Sequence, residues 1–196
     1  MDGIGNVKDH SRYLSAYFNL EGVEVDSLID FGCGFGHLVG EMLKKFGPIK
    51  VTALEPSPFA YKKLLKRIER FHHPDFKAYP LSLQQWFAEQ KNLKNVYDLG
   101  LCNSVFQYVS DNDLKKVIPL MSKTVRFLYL TVPTNEELSR QVDELGFKDE
   151  YAIHRSREFY QKLLRPHFTF ISSRVLESKF HFDEKTSPFT DLLFRY

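Results

Sequence analysis

The sequence predicts an α/β protein in which a mostly parallel sheet lies between two layers of helices. Short, almost continuously apolar segments alternate along the 196 residues with longer segments whose apolar residues recur at helical spacing. Strands that are apolar throughout are typical of parallel sheets covered on both faces. Neither an internal repeat nor a Gly/Ser-rich linker interrupts the chain. We therefore expect one domain, with a ligand bound at the carboxyl ends of the strands.

The first elements alternate strand and helix. Residues 25–31 predict a strand that runs into a glycine-rich turn, and residues 36–46 have the apolar spacing of a helix. Residues 50–54 predict a second strand. Ser57 is then an N-cap candidate, with Pro58 at the first helical position, so another helix is expected to begin there.

The middle of the chain continues this alternation. Residues 76–79 predict a weak strand, which precedes a short helix around Trp86. Residues 97–103 predict the fourth strand, and a helix is expected to begin at residues 111–112. Pro119 lies inside the apolar pattern of that helix and is expected to kink or shorten it.

The last part of the chain is expected to close the sheet. Residues 126–132 predict a fifth strand, and helices are expected near residues 136–145 and from residue 156 to residue 164. Residues 168–177 and 189–195 predict two closing strands.

Composition excludes several classes of protein. The 27 basic and 25 acidic residues give a net charge of +2, evenly spread, so nothing demands a polyanionic partner. No apolar run approaches the ~18 residues of a membrane span, and the first residues lack a signal-peptide pattern. Cys33 and Cys102 are not in a CxxC pair, so we expect neither a disulfide nor a metal site. These features are typical of a soluble cytoplasmic protein with reduced thiols.

The glycine-rich turn is the most specific motif. It reads Asp-Phe-Gly-Cys-Gly-Phe-Gly over residues 30–36, where the first strand should end and a helix begin. A dinucleotide fingerprint has glycine at its first, third and sixth places, but the sixth place here is His37. The Asp30 carboxylate would repel a pyrophosphate and attract a cation. The turn therefore disfavours a nucleotide-dependent oxidoreductase, which is one alternative function. The other alternative is that the turn only packs a helix against the sheet.

Glu55 is the second candidate, because it follows the second strand directly. A carboxylate at that place can accept hydrogen bonds from both hydroxyls of a ribose. The alternative is a solvated residue at the end of a strand.

With these motifs the sequence resembles the class I, Rossmann-like S-adenosylmethionine-dependent methyltransferases. The similarity lies in IDFGCGFG and VTALEPS, continues through YDLGLCNSVFQYVSD and RFLYLTVPT, and covers about residues 25–132. The resemblance implies a three-layer α/β/α fold with a seven-stranded, mostly parallel sheet and an antiparallel last strand. Residues 1–24 would then form an N-terminal helical cap, and residues 133–196 an acceptor-side insertion with the closing strands, in a single domain over residues 1–196.

The resemblance also implies a cofactor, S-adenosylmethionine, with S-adenosylhomocysteine as product. Glycine-turn residues match the part that binds the methionine moiety, Glu55 matches the acid that holds the ribose, and Asn103 lies where the backbone often receives the amino group. Where many members have an Asp near the adenine, this chain has only Tyr-Pro-Leu-Ser-Leu. The implied cofactor-binding residues are Asp30, Gly32, Cys33, Gly34, Gly36, Glu55, Pro56, Leu81, Ser82, Leu83 and Asn103.

The acceptor side is less patterned. Segments expected to cover the strand ends carry His10, Tyr13 and Tyr17 near the N-terminus, and Gln107 and Tyr108 after the fourth strand. Tyr13 and Tyr17 form either an aromatic lid or part of the core, since they are four positions apart and so share one helix face.

No catalytic group stands out from the sequence. His154 is the candidate base, because an unperturbed imidazole titrates near neutrality; the alternative is an exposed loop histidine. The acceptor is expected to be a small molecule methylated on oxygen or nitrogen. One alternative is an RNA-modifying enzyme, for which a basic stripe offers phosphate contacts; the other is a catalytically silent, methyltransferase-like subunit. The stripe comprises Lys62, Lys63, Lys66, Arg67 and Arg70.

Overall fold

The computed structural model describes residues 4–90 and 96–181. Within these ranges the strands form one seven-stranded sheet in the order β3-β2-β1-β4-β5-β7-β6. The strands are β1 (Ser27–Asp30), β2 (Lys50–Leu54), β3 (Phe76–Tyr79), β4 (Tyr97–Asn103), β5 (Val125–Thr131), β6 (Phe168–Phe170) and β7 (Val175–Ser178). The helices are α1 (Ile4–Leu20), α2 (His37–Phe46), α3 (Pro58–Ile68), α4 (Leu83–Glu89), α5 (Asp111–Thr124), α6 (Asn135–Leu145) and α7 (Arg157–Leu164), with a 3-10 turn at Phe106–Tyr108.

The sheet is wound in two directions from its centre. Strands β1 to β5 pair in parallel, whereas β7 is antiparallel to both β5 and β6. The chain moves outward from β1 to β3 and then returns to place β4 on the other side of β1. The winding therefore reverses between β1 and β4, and in open α/β sheets ligands bind at the carboxyl ends of the strands where this happens.

Alternating side chains of each strand face two different helix layers. Leu28 of β1 packs in the same cluster as buried residues of α1 and α2, whereas the adjacent Ile29 packs with α4, α5 and α7. Leu64 of α3 packs on Ala53 of β2. Both faces of the sheet are therefore covered, which is why its central strands are apolar throughout.

Local signals account for where the helices begin. The Ser57 hydroxyl accepts a hydrogen bond from Ala60 N, as expected, and Pro58 is the first helical residue of α3. The cap of α5 is Ser110 rather than residue 111 or 112. The expectation that Pro119 shortens this helix is wrong, since α5 continues to Thr124.

The closing strands differ from the sequence prediction. Residues 168–177 are not one strand but most of a hairpin, because the chain turns between β6 and β7. In this turn Ser172 Oγ accepts hydrogen bonds from the backbone N–H groups of Arg174 and Val175, at 3.3 and 2.9 Å. The second predicted strand, residues 189–195, lies outside the described residues. Of the helices described, none is both long enough and apolar enough to cross a membrane.

Candidate functional site

Three polar side chains meet at the carboxyl edge of the central strands. Asp30 ends β1, Glu55 follows β2, and Asn103 ends β4. Asp30 is in register with Ala53 of β2 and with Leu101 of β4. The topology therefore brings together residues that the sequence separates by more than seventy positions.

The glycine turn between β1 and α2 follows the sheet edge closely. Phe31 N donates to Leu101 O and Cys33 N to Leu54 O, both at 2.9 Å. Gly36, with φ 74°, is the N-cap of α2, and a left-handed backbone of this kind favours glycine. A Cβ on Gly32 would lie 2.4 Å from Val105 Cγ2. Residue 32 must therefore be glycine, because the chain that follows β4 passes too close to it for a side chain.

Glu55 ties this turn to the neighbouring strand. The side chain is 7% exposed, and its two carboxylate oxygens accept hydrogen bonds from Gly34 N and Ser57 N, each at 2.8 Å. Backbone donors to a carboxylate form strong, charge-assisted bonds. Each carboxylate oxygen has a second lone-pair site, so Glu55 can still accept hydrogen bonds from a ligand.

Asp30 is a buried acid with spare hydrogen-bonding capacity. It is 1% exposed, and its Oδ2 accepts no hydrogen bond from the described residues. Burial raises the pKa of Asp30 to about 7; a hydrogen bond from Gly32 opposes this rise, and the Glu55 carboxylate adds to it. A cation placed against Oδ2 would stabilise the ionised form.

The two cysteines are unsuited to act as nucleophiles. Cys33 and Cys102 are both buried and free. Burial, with a contribution from the Asp30 charge, raises the pKa of each thiol above its ordinary value. The thiolate is the reactive form, so neither sulfur is activated.

The other expected cofactor residues lie around the same edge. Pro56 is exposed beside Glu55, Leu81 is half-buried, and Ser82 caps α4 by accepting from Gln85 N at 3.2 Å. Leu83 is 1% exposed and packs with Trp86 and Phe87 in the core, so its side chain faces away from solvent.

Asn103 is positioned by β5. The hydroxyl of Thr131 donates to Asn103 Oδ1, and the next residue, Ser104, has φ 56° and donates its N–H to Thr131 O at 2.8 Å. This left-handed turn carries the chain away from the sheet edge directly after Asn103.

Tyr13 and Tyr17 are held against the β6–β7 turn. Their rings stack with centroids 6.4 Å apart, Tyr13 Oη donates to Ser172 Oγ at 2.7 Å, and Tyr17 Oη donates to Ile171 O at 3.4 Å. Both side chains are half-buried. The two rings border the carboxyl edge of the sheet and are not part of the fully buried core.

The segment after β4 carries the other two expected acceptor-side residues. Gln107 is 3% exposed, and its backbone carbonyl accepts a hydrogen bond from Ile153 N at 2.8 Å. Tyr108 is about half exposed, and its hydroxyl donates to Asp149 Oδ2 at 2.5 Å. Burial, and the Asp149 carboxylate that accepts this bond, raise the pKa of Tyr108 to about 12.

Arg155 is a residue that sequence reasoning missed. Its side chain is 4% exposed, and its guanidinium donates to Phe106 O at 3.0 Å and to Val109 O at 2.6 Å. It also pairs with Asp111, from Nε at 2.8 Å and from Nη2 at 2.7 Å. Arg155 thereby fixes the whole segment from Phe106 to α5. Only its position beside His154 could have drawn attention to it.

The candidate base and the basic stripe are both on the surface. His154 is exposed between Ile153 and the buried Arg155. Lys62, Lys63 and Lys66 are exposed on α3, and Arg70 is exposed just after this helix. Arg67 is half-buried, and its Nη2 lies 3.2 Å from His37 Nε2. No group of three or more His, Cys, Asp or Glu side chains within residues 4–90 and 96–181 could hold a metal ion.

A sequence model of the methyltransferase domain family matches residues 29–128, which run from the second half of β1 into β5 and include the glycine turn. The chain belongs to this family. The fold and the family expected from the sequence are therefore confirmed. No curated protein matches the chain significantly.

Solved methyltransferase structures share the fold. A protein assigned as a sarcosine dimethylglycine methyltransferase from Galdieria sulphuraria is 17% identical, with a TM-score of 0.62 over 83% of this chain and 62% of its own. Magnesium protoporphyrin IX methyltransferase from Synechocystis, with bound SAH, is 19% identical, with a TM-score of 0.62 over 89% of this chain and 81% of its own. An S-adenosylmethionine-dependent methyltransferase from Clostridium acetobutylicum is 12% identical, with a TM-score of 0.66 over 86% of this chain and 90% of its own. The chain spans less than two thirds of the length of the first of these proteins.

Replacing Arg155 with Met should destabilise the methyltransferase domain by about 1–3 kcal/mol, because the Val109 carbonyl oxygen loses its guanidinium donor and the Phe106 carbonyl oxygen keeps only Val109 N. Asp111 is half exposed and stays hydrated, so its lost ion pair adds little. Urea unfolding measures the change, and the exposed Arg157→Met on α7 is the matched control. Equal midpoints for the two variants would show that Arg155 does not hold the segment in place.

Replacing Asp30 with Asn should change how stability depends on pH. Because the folded-state pKa of about 7 exceeds the ordinary value of 3.8, the folded protein keeps a proton that the unfolded chain releases. The contribution of Asp30 to the stability of the native protein should therefore fall as the pH rises from 4 to 7, by roughly 1.4 kcal/mol for each pH unit in that range. D30N should lack this loss and be the more stable protein at pH 8. Unfolding of D30N and of the exposed control D26N, measured across this pH range, tests this expectation. Parallel profiles of stability against pH for the two variants would contradict the assignment of the raised pKa to Asp30.

Proposed function

We propose that this chain transfers a methyl group from S-adenosylmethionine to an oxygen or nitrogen atom of a small-molecule acceptor. The observation that carries this proposal is the buried Asp30 carboxylate, whose Oδ2 accepts no hydrogen bond from the described residues, at the mouth of the glycine turn. S-adenosylmethionine carries an ammonium and a sulfonium group, so it supplies positive charge where the site holds negative charge. A pyrophosphate would bring like charge to the same place.

The residues present fit this cofactor. Asp30 and the backbone of the glycine turn would bind the methionine part, since Asp30 Oδ2 can accept a hydrogen bond from the ammonium group. Glu55 would accept the ribose hydroxyls on its remaining lone pairs. The residues proposed to line the rest of the cofactor site are Gly32, Cys33, Gly34, Gly36, Pro56, Leu81, Ser82, Leu83 and Asn103.

Orientation is the main task left to the protein. When bound, S-adenosylmethionine supplies a methyl group on a positively charged sulfur, which is electrophilic without further activation. The chain must hold the acceptor atom in line with that methyl group and exclude water. Tyr13, Tyr17, Gln107 and Tyr108 are the residues proposed to do so, because they belong to the segments that border the strand ends.

A base is needed only where the acceptor atom is protonated at neutral pH. His154 is the residue proposed for that task, because it is exposed in the segment that Arg155 fixes beside Gln107. The small-molecule class is supported by relatives of this fold whose names specify sarcosine and dimethylglycine or magnesium protoporphyrin IX as what they methylate.

Replacing Glu55 with Ala should weaken binding of S-adenosylhomocysteine by about 1–3 kcal/mol, roughly 5- to 150-fold. The reason is that ribose hydroxyls lose their acceptor and the glycine turn loses the carboxylate that holds Gly34 N. Isothermal titration calorimetry measures the affinity, and Glu69→Ala, at the exposed C-cap of α3, is the control. An affinity for E55A equal to that of E69A would contradict the assignment of Glu55. Absence of binding by the native protein would instead favour a silent, methyltransferase-like subunit.

A further inference from the structure

A polar cluster lies where α1 crosses the carboxyl end of β5. We call it the α1–β5 cluster; its members are His10, Tyr13, Tyr129, Ser172 and Arg174. Tyr129 Oη lies 2.5 Å from His10 Nδ1 and accepts a hydrogen bond from Arg174 Nη1 at 3.5 Å. The Arg174 guanidinium carbon lies 5.6 Å from the centre of the Tyr13 ring. Residues from three distant parts of the chain thus hold one guanidinium group.

The register of the sheet places this cluster beside the proposed cofactor site. Asp30 pairs with Leu101, and Leu101 pairs with Tyr129. Leu101 and Tyr129 pack in the cluster of side chains that faces α1 and α2, and strand alternation puts Asp30 on that face too. Two strand spacings of ~4.8 Å separate Asp30 from Tyr129, so the two sites are about 10 Å apart. Tyr129 pairs with Val175, so the preceding residue, Arg174, lies at the same end of the sheet as Asp30.

The charge of the cluster comes from Arg174. The Tyr129 hydroxyl accepts a hydrogen bond from Arg174 and shares another with His10 Nδ1. Burial, and the positive charge of Arg174, lower the pKa of His10, which favours the neutral imidazole near pH 7. The cluster therefore contributes one positive charge, that of Arg174.

That charge is available to a ligand. Arg174 is exposed, and the ion pairs formed among residues 4–90 and 96–181 do not include it. A guanidinium has five N–H donors in a planar fork that matches a carboxylate, and only one of them bonds Tyr129. The stacked rings of Tyr13 and Tyr17 provide an apolar wall next to it.

We propose that Arg174 binds the carboxylate of the acceptor, and that the acceptor is a small carboxylic acid with an apolar body. This inference rests on the proposed function, since it takes the cofactor to lie at Asp30. A monoanionic carboxylate fits because the cluster offers a single positive charge. The body of the acceptor lies along Tyr13 and Tyr17, and its reacting atom points from Arg174 toward the glycine turn.

The test uses benzoate as the probe and benzamide as its uncharged match, with the full chain saturated with S-adenosylhomocysteine. Ligand-observed NMR titration measures both probes on the native protein, R174Q, R174K and the control R12Q, which removes a nearby exposed cation of α1. Benzoate should bind the native protein and R12Q better than benzamide does. Benzoate should bind R174Q about tenfold more weakly than it binds the native protein, with R174K between the two.

The outcomes separate the two proposals. Failure of S-adenosylhomocysteine to bind the native protein contradicts the proposed function. Normal binding of S-adenosylhomocysteine by all variants, with benzoate bound equally by native protein and R174Q, overturns the role of Arg174. Equal binding of benzoate and benzamide by the native protein, or tighter binding of phenyl phosphate than of benzoate, overturns the carboxylate.

Discussion

The arrangement of the site depends on the pair of hydrogen bonds that Glu55 accepts from Gly34 N and Ser57 N. These bonds join the glycine turn after β1 to the start of α3 after β2. Three of the last five residues of the turn, residues 32–36, are glycines, which give the free chain many backbone conformations to lose. A buried carboxylate with two fixed donors selects one of these conformations. The same carboxylate keeps lone pairs for a ligand, so structural and binding roles coincide.

Charge then decides which ligand the turn can take. Two carboxylates, Asp30 and Glu55, lie at the ends of adjacent strands, and the charge of Glu55 makes ionisation of the buried Asp30 more costly. Burial and the Glu55 charge therefore favour the protonated form of Asp30, and a bound cation would favour the ionised form. The Arg174 guanidinium, which is bonded to Tyr129 two strands away from Asp30, has the opposite sign. The edge of the sheet therefore carries negative charge at its centre and positive charge toward β7.

The parts of the site that are local in the chain could be predicted from the sequence. Residues 30–36 and Glu55 follow strands with strong apolar patterns, so their place at the sheet edge follows from topology alone. Arg155 and the contacts of Tyr129 could not be predicted, because these join residues more than forty positions apart. The β6–β7 turn was missed for a different reason: Ser172 and Arg174 interrupt an apolar segment without the glycine or proline that normally signals a turn. Pro119 was expected to shorten α5, but the packing of Val117, Ile118 and Met121 on the sheet sustains the helix.

The central claim is that the glycine turn, with its two carboxylates, selects a cationic methyl-donor cofactor over a dinucleotide. Calorimetric titration of the native protein with S-adenosylhomocysteine and, in parallel, with NAD tests it most directly. We expect saturable, micromolar binding of S-adenosylhomocysteine and no binding of NAD. Binding of NAD with no binding of S-adenosylhomocysteine would contradict the claim, because the pyrophosphate of NAD would then lie beside the Asp30 carboxylate, which is expected to repel it.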